Sequence, residues 1–242
     1  MIIANWKMNG SKDLIKDWLD FVSTNIEEDQ GKKCILCPPT CYVDFTGSLI
    51  KQSYKNIKLG SQNCDSVLSA PLTGGTNTLM LKDIGCDFVI IGHSEQRIHR
   101  KESNQILSDK LKESIDMNLK PIFCIGESLQ QKDSNQTDEI LIEQLNALPN
   151  NLLSECIIAY EPVWAIGTGK NAEISYIEEI HSFIKEELKI KSNSTNYISV
   201  VYGGSVNLDN CKEIYSSDNV DGLLVGGASL DPNTFTEIYN MS

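Results

Sequence analysis

Apolar residues recur along this chain with two alternating periods. Short runs rich in β-branched residues predict strands at Ile2–Asn5, Cys34–Cys37, Lys58–Gln62, Phe88–Gly92, Pro121–Ile125, Ile157–Glu161, Ile198–Tyr202 and Leu223–Val225. Between them the spacing lengthens to that of a helix. Leu14, Ile15, Trp18, Leu19, Val22 and Ile26 fall on one helical face, with Ser11 placed as the cap, and Ile174, Ile177, Ile180, Ile184 and Leu188 repeat the pattern later. Strands that alternate strictly with helices pair in parallel, because only a crossover returns the chain to the same end. Eight such units predict a closed barrel, with an open doubly wound sheet as the alternative. No Pro/Gly/Ser-rich linker interrupts the 242 residues, and the polar stretch Ser192–Asn196 reads as a loop. The fold class expected is therefore α/β, one domain over residues 1–242.

Composition narrows the functional classes. With 40% apolar and 22% charged residues the chain can bury a large core. No apolar run approaches the roughly 20 residues of a membrane span. The opening MIIANWKMNG lacks the basic-then-apolar pattern of a secretory signal, so a cytoplasmic location is expected. The eight cysteines are scattered. Cys34-x-x-Cys37 has the spacing of half a zinc site, but no second such pair or His pair completes four ligands, and buried thiols are expected instead. A net charge of −12 argues against nucleic acid and anionic membranes as partners. It also requires that any phosphate ester be attracted by local groups.

The unusual residues collect immediately after strands. Asn5-Trp6-Lys7 follows the first, Gly92-His93-Ser94-Glu95 the fourth, Glu161-Pro162 the sixth, Gly203-Gly204-Ser205 the seventh and Gly226-Gly227-Ala228-Ser229 the eighth. In a parallel barrel these ends open on one face, where active sites of that fold lie. Singly, each has an ordinary explanation: a strand-end carboxylate or lysine is usually solvated, a histidine structural, a Gly-Gly pair a tight turn. Their convergence points to chemistry. Glu161 follows apolar Ile157, Ile158 and Ala159, a setting for a desolvated and more basic carboxylate. The glycine pairs precede helical segments, so their free N–H groups suit an anion approaching the backbone closely. The stretch Pro162, Val163, Trp164, Ala165, Ile166, Gly167, Thr168, Gly169, Lys170 reads either as a long βα loop or as a lid with a stiff leading end.

Taken together, Asn5-x-Lys7-Met8-Asn9, Gly92-His93-Ser94-Glu95, Cys124-Ile125-Gly126-Glu127, Tyr160-Glu161 with the stretch through Lys170, Tyr202-Gly203-Gly204-Ser205 and Gly226-Gly227-Ala228-Ser229-Leu230 resemble the triosephosphate isomerase family from end to end. The long lid motif is the most specific of these. The resemblance implies a (β/α)8 TIM barrel that interconverts glyceraldehyde 3-phosphate and dihydroxyacetone phosphate, with no metal and no organic cofactor. It implies Glu161 as the base and His93 as a neutral electrophile, the roles established for the family. Lys7 would hold the substrate and stabilise the enediolate, Asn5 would donate to the same oxygens, and Glu95 would stand beside Lys7. The phosphate would rest on the N–H groups of Gly167, Ser205, Gly226 and Gly227. Ile166 and Leu224 would press on Glu161 from either side, and Tyr202 with Ser205 would latch the lid.

Two departures stand out. Where the family commonly has Thr-Gly-Glu in its third loop, this chain has Thr73-Gly74-Gly75; where it has His-Ser-Glu-Arg-Arg, this chain has His93-Ser94-Glu95-Gln96-Arg97. In the family the two missing charges pair across a dimer interface. Their joint absence is expected to leave a homodimer with a more neutral interface, in which Thr73 buttresses the neighbour's Asn5, since losing both avoids an unpartnered buried charge. Rival readings are a phosphosugar-binding barrel without catalysis and another phosphate-binding barrel enzyme, such as a synthase of aromatic amino-acid biosynthesis. The first would be expected to lose Glu161, His93 or Lys7, and the second has no use for the long lid motif.

Overall fold

The computed structural model describes residues 1–27, 31–66, 72–166, 171–192 and 197–242. Its eight strands close into a parallel barrel in sequence order: β1 (Ile2–Asn5), β2 (Cys34–Cys37), β3 (Ile57–Ser61), β4 (Phe88–Ile91), β5 (Lys120–Ile125), β6 (Ile157–Tyr160), β7 (Val200–Tyr202) and β8 (Leu223–Val225). Ring closure is direct, Ile2, Ile3 and Ala4 pairing with Leu223, Leu224 and Val225. The expected barrel is present and the open sheet is not.

Alternation along the strands builds two layers. Ile3, Ile35, Ile90, Ile122, Ala159, Val201 and Leu224 belong to a compact cluster filling the barrel, while Ile2, Ala4, Leu36, Val89, Ile91 and Phe123 join the larger cluster under the helices. Cys34 and Cys37 fall in different clusters, the helix-covered layer and the interior respectively, so β2 turns them to opposite faces. Gly60 keeps the interior closed at β3: a Cβ there would lie 2.5 Å from Cys37 Sγ.

The helices form for the reasons their sequences give. Ser11 accepts from Leu14 N–H at the start of the helix Lys12–Asn25, which buries Ile15, Trp18, Leu19 and Val22. The helix Ile174–Ser192 buries Ile177, Ile180, Ile184 and Leu188, together with His181. Strand limits shift by a residue or two where side chains intercept the ladder. β7 starts at Val200 rather than Ile198, because Lys185 Nζ donates to the Ile198 carbonyl and Asp221 accepts the Val200 N–H. β3 runs Ile57–Ser61, leaving Gln62 beyond its end and free to bond elsewhere. Among the described residues no helix is long and apolar enough to cross a membrane. Seven of the eight cysteines are buried free thiols; Cys41 is exposed.

Candidate active site

The alternation that fills the barrel also aims the site. Glu161 extends the inward series of Ile157 and Ala159, Asn5 extends that of Ile3, and Gly226 that of Leu224. At the C-terminal strand ends Asn5, Lys7, His93, Glu161, Ile166, Gly203, Gly204, Ser205, Leu224, Gly226 and Gly227 line one cavity of about 230 Å³. Residues from five strand ends are thereby brought together. Glu95 stands outside this cavity and lines a neighbouring one of about 770 Å³, which shares Lys7 with the first. Gly167, Thr168, Gly169 and Lys170 lie outside the described residues.

Lys7 occupies a left-handed backbone conformation, φ +50°, rare for a residue with a side chain. Its N–H donates to Asn5 Oδ1 at 3.1 Å, and its carbonyl accepts from Gln62 Nε2 at 2.9 Å, the same amide also reaching the Cys37 carbonyl. That turn carries the lysine past Gly226, where a Cβ would meet Lys7 Cε at 3.7 Å, an ordinary contact. The ammonium pairs with Glu95 Oε1 at 2.7 Å. Burial would raise the Glu95 carboxyl, but the Lys7 hydrogen bond and charge, with His99 beyond, outweigh it and hold the group below its ordinary value.

His93 ends β4 and precedes the helix Ser94–Arg100. Its Nδ1 accepts the Glu95 N–H at 3.2 Å, so the ring proton sits on Nε2 and the imidazole is neutral. Nε2 lies 3.1 Å from Glu161 Oε1. That approach is not aligned as a hydrogen bond, and Oε1 has no other partner among the described residues. The second oxygen, Oε2, accepts the Ser94 N–H at 3.1 Å. Glu161 is thus an almost fully buried carboxylate with one oxygen tied back and one poised beside an N–H donor.

Its position is fixed from behind. Glu161 N–H donates to the Ile125 carbonyl at 2.8 Å, and β5 passes so close that a Cβ on Gly126 would fall 1.7 Å from the Glu161 carbonyl oxygen. Only glycine fits there. Gly203 is similarly confined, 3.0 Å separating its would-be Cβ from Glu161 Cγ. Burial and the adjacent Glu161 carboxylate hold the Cys124 thiol well above its ordinary value. Arg97 donates to the Gly92 and Cys124 carbonyls at 2.9 and 3.1 Å, stapling β4 to β5 just below His93.

Glu127, one residue beyond Gly126, is fully buried and accepts from Tyr160 and Tyr176 hydroxyls at 3.1 Å and from Trp164 Nε1 at 2.7 Å. Burial still raises its carboxyl against those donors. Its carbonyl accepts the Val163 N–H, anchoring the 3₁₀ turn Val163–Ala165 that leads to Ile166. The Tyr202 hydroxyl is raised by burial, with the Ala172 backbone amide acting against the shift.

The departures have local causes. A Cβ on Gly75 would come within 2.9 Å of Asp65 Oδ2, which is engaged by the Thr76 N–H. Gln96 accepts from Asn63, and Asn63 also donates to Glu102, the partner of buried Lys110. In the sequence Ser94, Arg97, Gly126 and Glu127 appeared only inside motifs, without a role of their own, and Gln62 only as the end of a strand. For Gln62 the strand-end rule was a usable signal; for the others the cue lies in contacts between strands distant in sequence.

Fold and cavity define a (β/α)8 barrel with its site at the C-terminal strand ends. Comparison with known proteins narrows that class. The family model described as triosephosphate isomerase matches residues 1–242. Proteins named triosephosphate isomerase from Escherichia coli O1:K1 / APEC, Escherichia coli (strain K12 / DH10B) and Shigella boydii serotype 18 are each 36% identical over 243 residues, covering 98% of this chain and 94% of the relative. The chain belongs to the triosephosphate isomerase family.

Proposed function

We propose that this chain interconverts D-glyceraldehyde 3-phosphate and dihydroxyacetone phosphate through an enediolate, as a single (β/α)8 domain spanning residues 1–242. Glu161 removes the proton from the carbon next to the carbonyl and returns it to the neighbouring carbon. His93, neutral with its proton on Nε2, donates to the carbonyl oxygen as charge develops. Lys7 and Asn5 hold the same oxygens, and Lys7 supplies the positive charge that a net −12 otherwise denies an anionic substrate. Glu95 sets the Lys7 ammonium. The phosphate rests on the N–H groups of Ser205, Gly226 and Gly227, with Gly167 added from the 162–170 stretch, which acts as a lid excluding water from the enediolate. Neither metal nor organic cofactor has a part in this chemistry.

The observation that carries the reading is the 3.1 Å approach of a neutral imidazole N–H to a buried carboxylate oxygen without an aligned partner, inside a cavity that also holds Lys7 and the glycine turns. A coupled assay of glyceraldehyde 3-phosphate isomerisation, with and without chelator, tests it. Fast, chelator-insensitive turnover is expected. A folded dimer without activity would transfer the chain to the binding-protein reading.

The protomer is proposed to work as a cytoplasmic homodimer. Met8, Leu72, Leu79, Met80 and Ile98 are large exposed apolar residues on the segments after β1, β3 and β4, and Met8 also lines the 770 Å³ cavity. In this reading Thr73 approaches the neighbour's Asn5, and Gly75 and Gln96 leave the contact without the family's ion pair. A fully active monomer in sedimentation at micromolar concentration would overturn the dimer.

A further inference from the structure

Lys132 lies on the helix Leu129–Asp133 that follows β5, yet its ammonium reaches two rings carried by the unit that follows β6. Nζ sits 3.8 Å from the centroid of Trp164 and 4.4 Å from that of Tyr176. The rings themselves are 5.9 Å apart. Both also donate to Glu127, so Trp164 is gripped twice: its indole N–H by a buried carboxylate, its face by a cation. The grip spans two successive βα units: the helix after β5, and the turn and the helix Ile174–Ser192 that both follow β6.

Trp164 is three residues from Glu161, and Pro162 and Val163 between them leave little freedom. Val163 N–H is held by the Glu127 carbonyl, so residues 162–164 are fixed in the register that accompanies Glu161 bonded to Ser94 N–H. So tied, the carboxylate is held towards the end of β4, and carrying its free oxygen Oε1 onto a substrate carbon requires the Ser94 bond to release. For Glu161 to move onto substrate, the turn behind it must shift, and the shift disturbs the Trp164 grip.

We propose that Lys132 is a positioning residue for this turn, its cation stabilising the tied-back arrangement of Glu161 and so setting the affinity of the neighbouring phosphate site. The inference rests on the isomerase reading of that site. Lys132 touches neither substrate nor reacting atoms; it acts through Trp164 and the turn Val163–Ala165.

The test uses the full chain, with Lys132→Gln removing the cation at similar length and Lys132→Arg restoring it. Inorganic phosphate titrated by calorimetry is the probe, with Trp164 fluorescence and steady-state kinetics alongside. Lys132→Gln is expected to bind phosphate roughly three- to tenfold more tightly and lower KM by a similar factor, the scale of one cation–π contact. Trp164 emission changes in Lys132→Gln, and Lys132→Arg returns all three readouts towards the original. Simple structural damage would weaken binding. Unchanged or weaker binding by Lys132→Gln, or an arginine variant that behaves like the glutamine one, overturns the proposal. Isomerase activity of the unsubstituted chain reports separately on the isomerase reading, and the fluorescence comparison tests the grip whatever that activity is.

Discussion

Glu127 and Glu161 are buried carboxylates at the ends of neighbouring strand units, and their surroundings differ in kind. Glu127 is saturated, accepting from two tyrosines and a tryptophan, while Glu161 has one oxygen on a backbone N–H and the other without an aligned donor. A fully bonded buried carboxylate holds structure together, whereas an incompletely bonded one retains capacity to react. The barrel makes both from glutamates just past strand ends, Glu127 after β5 and Glu161 after β6, separated by whether aromatic donors or a cavity face them. Reactivity here is a matter of what has been left out.

Substitutions at three positions probe the contrast. The largest effect is expected for Glu161→Gln, which should lower kcat by roughly 10³- to 10⁴-fold, the range for loss of a positioned base, while phosphate binding changes little. Steady-state kinetics with a phosphate titration separates the two. Comparable turnover would remove Glu161 as the base.

Glu127→Ala should act on stability instead. It leaves Tyr160, Tyr176 and Trp164 without their shared acceptor. With unsatisfied buried groups costing about 1–3 kcal/mol each, partly relieved by relaxation, the unfolding free energy should fall by about 3–5 kcal/mol in urea denaturation. Glu127→Gln, which keeps an acceptor oxygen and the volume, should lose less and retain kcat within about tenfold. If Glu127→Gln abolished turnover in a folded protein, the division between the two carboxylates would be wrong.

The smallest effect concerns His181, buried behind Tyr160 with their rings 5.8 Å apart. Burial lowers its pKa to about 4, against the Asn219 carbonyl and Asp221. Between that value and the ordinary 6.5 the unfolded chain binds a proton that the folded chain refuses. Its contribution is therefore full above pH 6.5 and is lost as pH falls through 4, on the order of 2–4 kcal/mol over that window. The Glu127 carboxyl, raised by burial, works oppositely and favours the fold as pH drops. Urea midpoints across pH 4–7 should slope less in His181→Gln, and an unchanged slope would place the acid sensitivity elsewhere.

The strands and most helical faces were legible because alternation and the 3.6 period are local. Ser11 capped its helix where the pattern put it, and Asn5, Lys7, His93, Glu161, Ser205, Gly226 and Gly227 met in one cavity because strand order alone brings strand ends together. Less was legible where a side chain from one unit serves another. The start of β7 moved because Lys185 and Asp221 take its polar groups, and Gly126 is required by the backbone of β6, not by anything near it in sequence. Glu95 entered the site only through Lys7, a distinction between neighbouring cavities that spacing cannot express. The Glu127 donors come from residues 160, 164 and 176, a convergence that exists only after the chain has folded.

The most direct test of the contrast is exchange of the substrate's carbon-bound proton with solvent deuterium, measured by NMR on the unsubstituted chain, Glu161→Gln and Glu127→Gln. Deuterium should enter the product at comparable rates in the first and third and not measurably in Glu161→Gln. Exchange at the original rate in Glu161→Gln, or its loss in a folded, phosphate-binding Glu127→Gln, would contradict the account.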